Sequence, residues 1–358
     1  MSKKIGSAVI GFGGMGSWHV RKQCEMKDHF EFQGTYDIKP ERREAARKEG
    51  YRAYETLGEL LADPAVEFVV VATPNDAHLE LVLAALSSGK HVMCEKPVAL
   101  SPAEYESMVA CAERNGRMFT THQNRRGDGD YLTMKKILDE NTLGPVFQIE
   151  SRVQGSRGVP GDWRNQKVHG GGMVYDWGIH LLDQMLMMTL PRKLVSVYAQ
   201  LTNVTGTDCD DGFRTMLTFD DGLTAYVEVT TSNFIVLPRW YMLGENGSAE
   251  IVGWDGKGEI VKVSDWENRD AVPVVAGVGL TKTMAPRTDD SIQHFPLPEV
   301  KGNWDLNYLG VYDRIRNGGK TVVTYDQQRR LLHLIQAIFD SGHTGEAIRF
   351  DDVWAEKC

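Results

Sequence analysis

A glycine cluster behind an apolar strand decides the fold of the first third of this chain. The apolar run Ile5–Ile10 ends in Gly11-Phe12-Gly13-Gly14-Met15-Gly16, and a helix-compatible stretch, Gly14–Met26, follows. GxGxxG alone is a weak signal; between a buried strand and a helix it becomes a dinucleotide-binding fingerprint. The first glycine permits the tight turn. The second lets the backbone approach a pyrophosphate, and the third lets helix and strand pack closely. The N–H groups at the start of the helix then face the phosphates. Asp37 lies 21 residues beyond Gly16, at the end of the strand Phe30–Asp37. A carboxylate there accepts from the ribose hydroxyls and repels a 2′-phosphate, which favours NAD, with NADP as the alternative because Lys39 and Arg42 are close by.

The pattern that follows extends the same architecture. Pro40–Lys48 reads as a charged helix, and Ala65–Ala72 as a nearly all-apolar strand of the kind covered on both faces in parallel sheets. His78–Ser88 has helical spacing, His91–Cys94 and Met118–Thr121 read as strands, and Ser101 with Glu104 forms a capping-box signature for a helix to about Asn115. Alternating strands and helices imply a doubly wound parallel α/β sheet over residues 1–123. From 124 to 358 the texture changes to an α+β domain. Helices are expected at Asp128–Glu140, Met173–Met188, Asn303–Arg316 and Gln327–Ser341. Strands are expected at Val146–Gln154, Leu194–Val204, Phe213–Phe219, Leu223–Thr231 and Arg239–Leu243, with Asp221-Gly222 as a hairpin turn. That describes a large, mostly antiparallel open sheet. The stretch 265–300 has no clear periodicity and reads as a lid or as a loop reaching a neighbouring subunit.

Charge and cysteine usage narrow the function class. A net charge of −9 opposes general binding to nucleic acid or to an anionic membrane. Cys24, Cys94, Cys111, Cys209 and Cys358 have neither zinc-site nor disulfide spacing, so free thiols in a reducing cytoplasm are expected. No apolar run approaches the roughly 20 residues of a membrane span.

Three further motifs stand at strand ends or on a helix. Ala72-Thr73-Pro74-Asn75-Asp76-Ala77-His78 follows the most apolar strand, where Thr73 and Pro74 would border the cofactor or simply cap the next helix. Glu95-Lys96-Pro97 follows the next strand. An ammonium there could hold a substrate hydroxyl and stabilise the alkoxide formed as hydride departs. Ile38, Ala72, Asn75, His78, Glu95, Lys96 and Gln123 complete the expected cofactor contacts. In Gly170–Asp183, helical spacing places Asp176, His180 and Asp183 on one face. Histidine suits proton transfer near neutral pH, and Asp176 could orient it. A structural His–Asp pair between domains, or a metal site completed by His122 or His169, are the alternatives; no further ligand stands at a diagnostic spacing, and no metal is expected. The polar loop Gly158–His169 offers Asp162, Trp163, Arg164 and Asn165, groups that suit a sugar's hydroxyls and apolar face.

Taken together, GFGGMG, ATPNDAH, EKP, HQNRR at His122–Arg126 and GGGMVYDWGIHLLDQ at Gly170–Gln184 resemble, in order and approximate spacing, the glucose–fructose oxidoreductase, inositol dehydrogenase and rhizopine catabolism (Gfo/Idh/MocA) family. The resemblance covers nearly the whole chain. It implies a Rossmann domain, then an α/β domain whose open sheet forms a homo-oligomer interface, and NAD(P)-dependent oxidation or reduction of a sugar, glycoside or cyclitol. The family's catalytic lysine falls on Lys96 and its helical Asp and His on Asp176 and His180, with Asn124, Arg125, Asp162, Trp163 and Arg164 as further substrate contacts. Oxidation of a glycoside at C3 ahead of a partner eliminase is one alternative, and the Gly158–His169 loop would admit a large aglycone. A nucleotide-binding sensor or scaffold without turnover is another. Gly127 departs from the family, where an aromatic is common, and is expected to enlarge the pocket or loosen a contact near the nicotinamide.

Overall fold

The continuous apolar runs become five parallel strands, β1 (Ile5–Ile10), β2 (Phe30–Tyr36), β3 (Phe68–Val71), β4 (His91–Glu95) and β5 (Phe119–His122), in the order β2-β1-β3-β4-β5. The structure, a computed structural model, describes residues 3–267 and 273–358; residues 1–2 of the first domain and 268–272 of the stretch 265–300 lie outside the described residues. All six residues of β1 are buried, as a strand covered on both faces requires. Helices α1 (Gly14–Glu25), α2 (Pro40–Lys48), α3 (Leu57–Ala62), α4 (His78–Ser87) and α5 (Pro102–Arg114) make the crossovers. Helix α3 was not anticipated; Thr56 caps it by accepting from the Glu59 N–H. Beyond β2, Thr35 forms a single parallel bridge to Ala53, so a further edge strand is reduced to one residue. At Ser101 the Oγ accepts from the Glu104 N–H, but the Glu104 carboxylate reaches the N–H of Leu100 rather than that of the cap residue. Strand order reverses between β1 and β3, and the crevice at such a switch point is where open parallel sheets bind ligands.

The second sheet has nine strands. They are β6 (Val146–Gln154), β7 (Leu194–Thr202), β8 (Gly212–Phe219), β9 (Thr224–Thr230), β10 (Trp240–Gly244), β11 (Gly247–Ile251), β12 (Gly258–Val263), β15 (Ile292–Pro296) and β16 (Ile348–Arg349). The order is β15-β12-β11-β10-β6-β9-β8-β7-β16, antiparallel throughout except for the parallel pair β6–β9. Asp221-Gly222 turns between β8 and β9. The stretch 265–300 holds a small hairpin, β13 (Val274–Ala276) with β14 (Gly279–Thr281), and then β15, which extends the sheet edge against β12.

Helices α6 (Gly129–Asp139), α7 (Ile179–Met188) and α9 (Tyr325–Thr344) cover the inner face, with Met134, Leu182 and Leu334 fully buried among sheet residues such as Val227 and Trp240. Phe147, Tyr198 and Met216 on the outer face stay exposed. Helix α8 (Leu306–Asn317) returns to the first sheet, where Tyr308, Val311 and Tyr312 share a core with Ile5, Val9 and Phe30. A division at residue 123 does not anticipate this return, because a helix joined only at long range leaves no local mark. No helix among the described residues is long and apolar enough to cross a membrane.

Candidate active site

Two glycines of the first motif are required by the protein itself. A Cβ on Gly11 would lie 2.3 Å from the carbonyl oxygen of Ala72, and one on Gly16 would lie 2.1 Å from that of Gly11. At Gly13 and Gly14 a Cβ would meet nothing within 4 Å. The space in front of these two is open to solvent, at the start of a helix whose first turn holds no acidic residue and no side-chain cap. Free N–H groups beside a cradle without side chains fit a dinucleotide pyrophosphate. Asp37 closes the cradle: its carboxylate accepts from the N–H of Phe12 (2.7 Å) and of Lys39 (2.9 Å). Ile38 and Met15 are exposed beside it, whereas the Phe12 ring is buried in the core and offers only its backbone. Gly13 has φ −83°, which any residue adopts. Gly13→Val is therefore expected to leave the melting temperature unchanged while raising the Kd for NAD by about tenfold or more, equivalent to at least about 1.4 kcal/mol; titration calorimetry beside a thermal melt checks both halves.

The other expected cofactor residues divide. Thr73 and Pro74, after β3, border the crevice, with Ala72 half-buried behind them. Asn75 is buried and donates to the carbonyl of Gly170 at 2.9 Å, tying the first domain to the second. His78 is fully buried, its ring nitrogens 2.9 Å from the Pro97 carbonyl oxygen and 3.1 Å from that of Thr73. It braces the two loops from behind. Gln123 is buried beside Gln328 and Asn307. Glu95, expected at the cofactor, points into the protein. Its Oε1 lies 2.7 Å from His19 Nε2 and 2.7 Å from His122 Nδ1, and its Oε2 accepts from the N–H of Lys96 at 3.2 Å. Burial would raise its pKa, but the two imidazoles outweigh that and hold the carboxyl well below the usual carboxylate range. Tyr308 meets the other nitrogen of His19 at 2.7 Å. Reading the sequence missed this buried support beneath Lys96; its one local signal was a carboxylate next to the lysine.

Above that support the two domains meet. Lys96, before a cis peptide to Pro97, donates to the Asp176 carbonyl oxygen at 2.8 Å and to its Oδ1 at 3.1 Å. His180 is 5% exposed, and its Nδ1 has no hydrogen-bond partner. Burial first, then the charges of Lys96 and Arg125, hold its pKa well below the ordinary histidine value. The expected single stripe of Asp176, His180 and Asp183 does not form. Val174–Gly178 is a π-turn, whose wider winding alters the register of Asp176 relative to His180 and Asp183, which both lie in regular α7. Asp176 turns to Lys96 rather than to His180, and Asp183 turns inward to Arg126 at 2.7 Å.

The remaining candidates frame the crevice. Asn124 and Arg125 sit half-buried on the 3₁₀ turn Asn124–Gly127, and the Arg125 guanidinium stacks 4.3 Å from the Trp177 ring. In the loop before the π-turn, Asp162 pairs with Arg164 at 2.7 Å. Arg164 lies over Trp163 and reaches Asp176 Oδ2 at 3.7 Å, so the loop joins the carboxylate that holds Lys96. Gly127 neither enlarges the pocket nor loosens a contact: a Cβ there would lie 2.1 Å from the Asn303 carbonyl oxygen, and the Asn303 N–H donates to Gly127 at 2.9 Å. Backbone fills the place of the missing side chain. Among the described residues, His19, Glu95 and His122 are the group whose atoms lie close enough to hold a metal ion.

Known proteins resemble this chain over most of its length. Residues 5–123 match the model of an oxidoreductase family with an NAD-binding Rossmann fold, and residues 131–250 match the GFO/IDH/MocA C-terminal domain. An NAD-binding protein from Listeria innocua is 43% identical, with a TM-score of 0.94 over 97% of this chain and 100% of that one. An uncharacterized oxidoreductase of Schizosaccharomyces pombe is 28% identical over 96% of this chain and 98% of its own length. A scyllo-inositol 2-dehydrogenase (NADP(+)) of Bacillus subtilis is 26% identical over 97% of this chain and 96% of its own.

Proposed function

The chain belongs to the Gfo/Idh/MocA oxidoreductase family, and on that premise we propose that it moves a hydride between nicotinamide and a ring secondary alcohol of a sugar, glycoside or cyclitol. That it is an NAD(P)-dependent dehydrogenase acting on CH–OH groups follows from the family. The observation that carries the finer reading is the meeting of Lys96, from the nucleotide domain, with Asp176 and His180 from the other.

The glycine cradle and Asp37 would hold the cofactor, and the bound nicotinamide supplies the hydride acceptor or donor. The chain's own groups manage the proton. An ammonium has three donors, and Lys96 gives two contacts to Asp176. The third can point at a substrate oxygen and stabilise negative charge as it develops. His180, kept neutral, has a lone pair ready to take the hydroxyl proton. Asp176 fixes the lysine rather than the histidine. Asp37 supports NAD over NADP, which the ratio of kcat/KM for the two cofactors tests. The exposed outer sheet face with Phe147, Tyr198 and Met216 supports pairing with a second copy, which light scattering tests. A panel of inositols, free sugars and glycosides, followed by the near-ultraviolet absorbance of the reduced cofactor, tests the substrate class. Cofactor binding without turnover on every member would overturn it.

The pH profile gives a sharper check. Alcohol oxidation needs neutral His180, so the rate falls as pH drops through its folded pKa. Because that pKa is depressed, kcat/KM is expected to stay flat through pH 6.5 and to fall only well below it. Arg125→Met removes one of the depressing charges, so the acid limb should move to higher pH. A limb that does not move would separate Arg125 from the proton chemistry.

A further inference from the structure

Beside Arg125 lies a hollow of about 950 Å³, lined by Arg125, Asp128, Trp254, Glu299, Lys301 and Trp304. Two indoles stand at its surface, Trp254 57% and Trp304 64% exposed. Trp254 is nevertheless fixed in place: its ring lies 5.7 Å from that of Trp177, and the guanidinium groups of Arg125 and Arg239 lie 5.3 and 5.1 Å from it. Arg239 is itself buried, donates to Ser151 (2.6 Å) and Gln184 (3.2 Å), and is ion-paired with Asp130 (3.2 Å). The opposite rim is anchored as well, since Asn303, next to Trp304, docks on the Gly127 carbonyl. The hollow is therefore preformed.

Its chemistry selects an occupant. Its carboxylates are met by cations, Asp128 by Arg125, Asp130 by Arg239 and Asp255 by Lys257, and Glu299 shares the lining with Lys301, so the balance is near neutral and suits an uncharged, polar ligand. Indole faces suit the C–H face of a pyranose, and carboxylates and a guanidinium suit paired equatorial hydroxyls. Two ring-to-ring steps of 6.1 and 5.7 Å lead from His180 through Trp177 to Trp254, a path about as long as two linked pyranose rings. We propose that the hollow is a second sugar subsite and that the substrate is a disaccharide or longer glycoside whose neighbouring pyranose stacks on Trp254 and Trp304. This rests on the sugar dehydrogenase reading above and narrows it.

The test compares cellobiose and maltose with glucose and myo-inositol on the NAD-loaded enzyme and on Trp254→Ala and Trp304→Ala. The wild type should prefer at least one disaccharide. Each variant should lower kcat/KM for it by about tenfold or more while changing that for the single rings little, and Trp254→Phe should restore part of the loss. Equal losses on single and double rings, no loss, or a wild-type preference for single rings would overturn the proposal. Calorimetric binding separates its failure from that of the dehydrogenase reading: a disaccharide that binds the wild type and not Trp254→Ala supports the subsite even without turnover. No disaccharide binding, or Trp254-dependent binding of 4-nitrophenyl glucoside alone, overturns it.

Discussion

Lys96→Ala and His180→Ala are each expected to lower kcat by about 10²–10⁴, the range of a positioned proton-transfer or oxyanion-stabilising group, while nucleotide binding is retained. The phosphate and ribose contacts expected of the glycine cradle and Asp37 involve neither side chain, so most of the affinity for NAD should survive. The double variant should lose less than the product of the two single losses, because both groups act on one oxygen and each depends on the other. Lys96→Ala has a second signature. It removes the largest of the charges that depress His180, so its residual activity should show an acid limb at higher pH. A parallel loss of nucleotide affinity would instead mean that the crevice had collapsed. Asp176→Asn leaves the carbonyl contact to Lys96 in place, so a loss smaller than that of Lys96→Ala would mark Asp176 as a positioning residue.

Arg126→Ala should destabilise the fold by about 3–5 kcal/mol, because it leaves Asp183 ionised, buried and without its partner. The pair is bidentate, with both contacts at 2.7 Å, and Arg126 also donates to Gln327 Oε1 (2.7 Å) and the Val322 carbonyl (3.0 Å). It thus links the turn after β5 to α7 and α9. Denaturant unfolding is the measurement: the midpoint should fall with an unchanged slope. Replacing both partners, as Arg126→Met with Asp183→Leu, should cost far less, since no charge is then stranded. If the double variant is as unstable as the single, the further contacts of Arg126 matter more than the ion pair.

Most of the first sheet was readable, for a physical reason. Strands covered on both faces, such as Phe68–Val71, read as nearly continuous apolar runs, and Ile5–Ile10 departs from this only at Gly6 and Ser7. Helix α3 was missed although Thr56 and Glu59 carry a capping signal, because six residues are too few to show a period. Lys96 was findable from its place at a strand end. Its support was not: His19 and Glu95 are 76 residues apart, and only the completed sheet brings them to 2.7 Å. The π-turn at Val174–Gly178 could not be read either, since a spacing of four residues implies one helical face only if the winding is regular. That irregularity sets Asp176 apart from His180, whereas Asp183, within the regular helix α7, is drawn inward by Arg126.

The return of α8 to the first sheet bears on how this enzyme can be re-engineered. Tyr308 packs on Phe30 and reaches His19, Arg316 donates to the carbonyls of Lys3 and Lys4, and Leu332 of α9 enters the other core of the same layer. A cofactor module cut from residues 1–123 would leave an apolar flank bare and the imidazole beneath the lysine without its phenol. The exchangeable piece is discontinuous, made of the amino-terminal segment together with the helix near residue 310, and a graft between relatives must carry both halves of that seam.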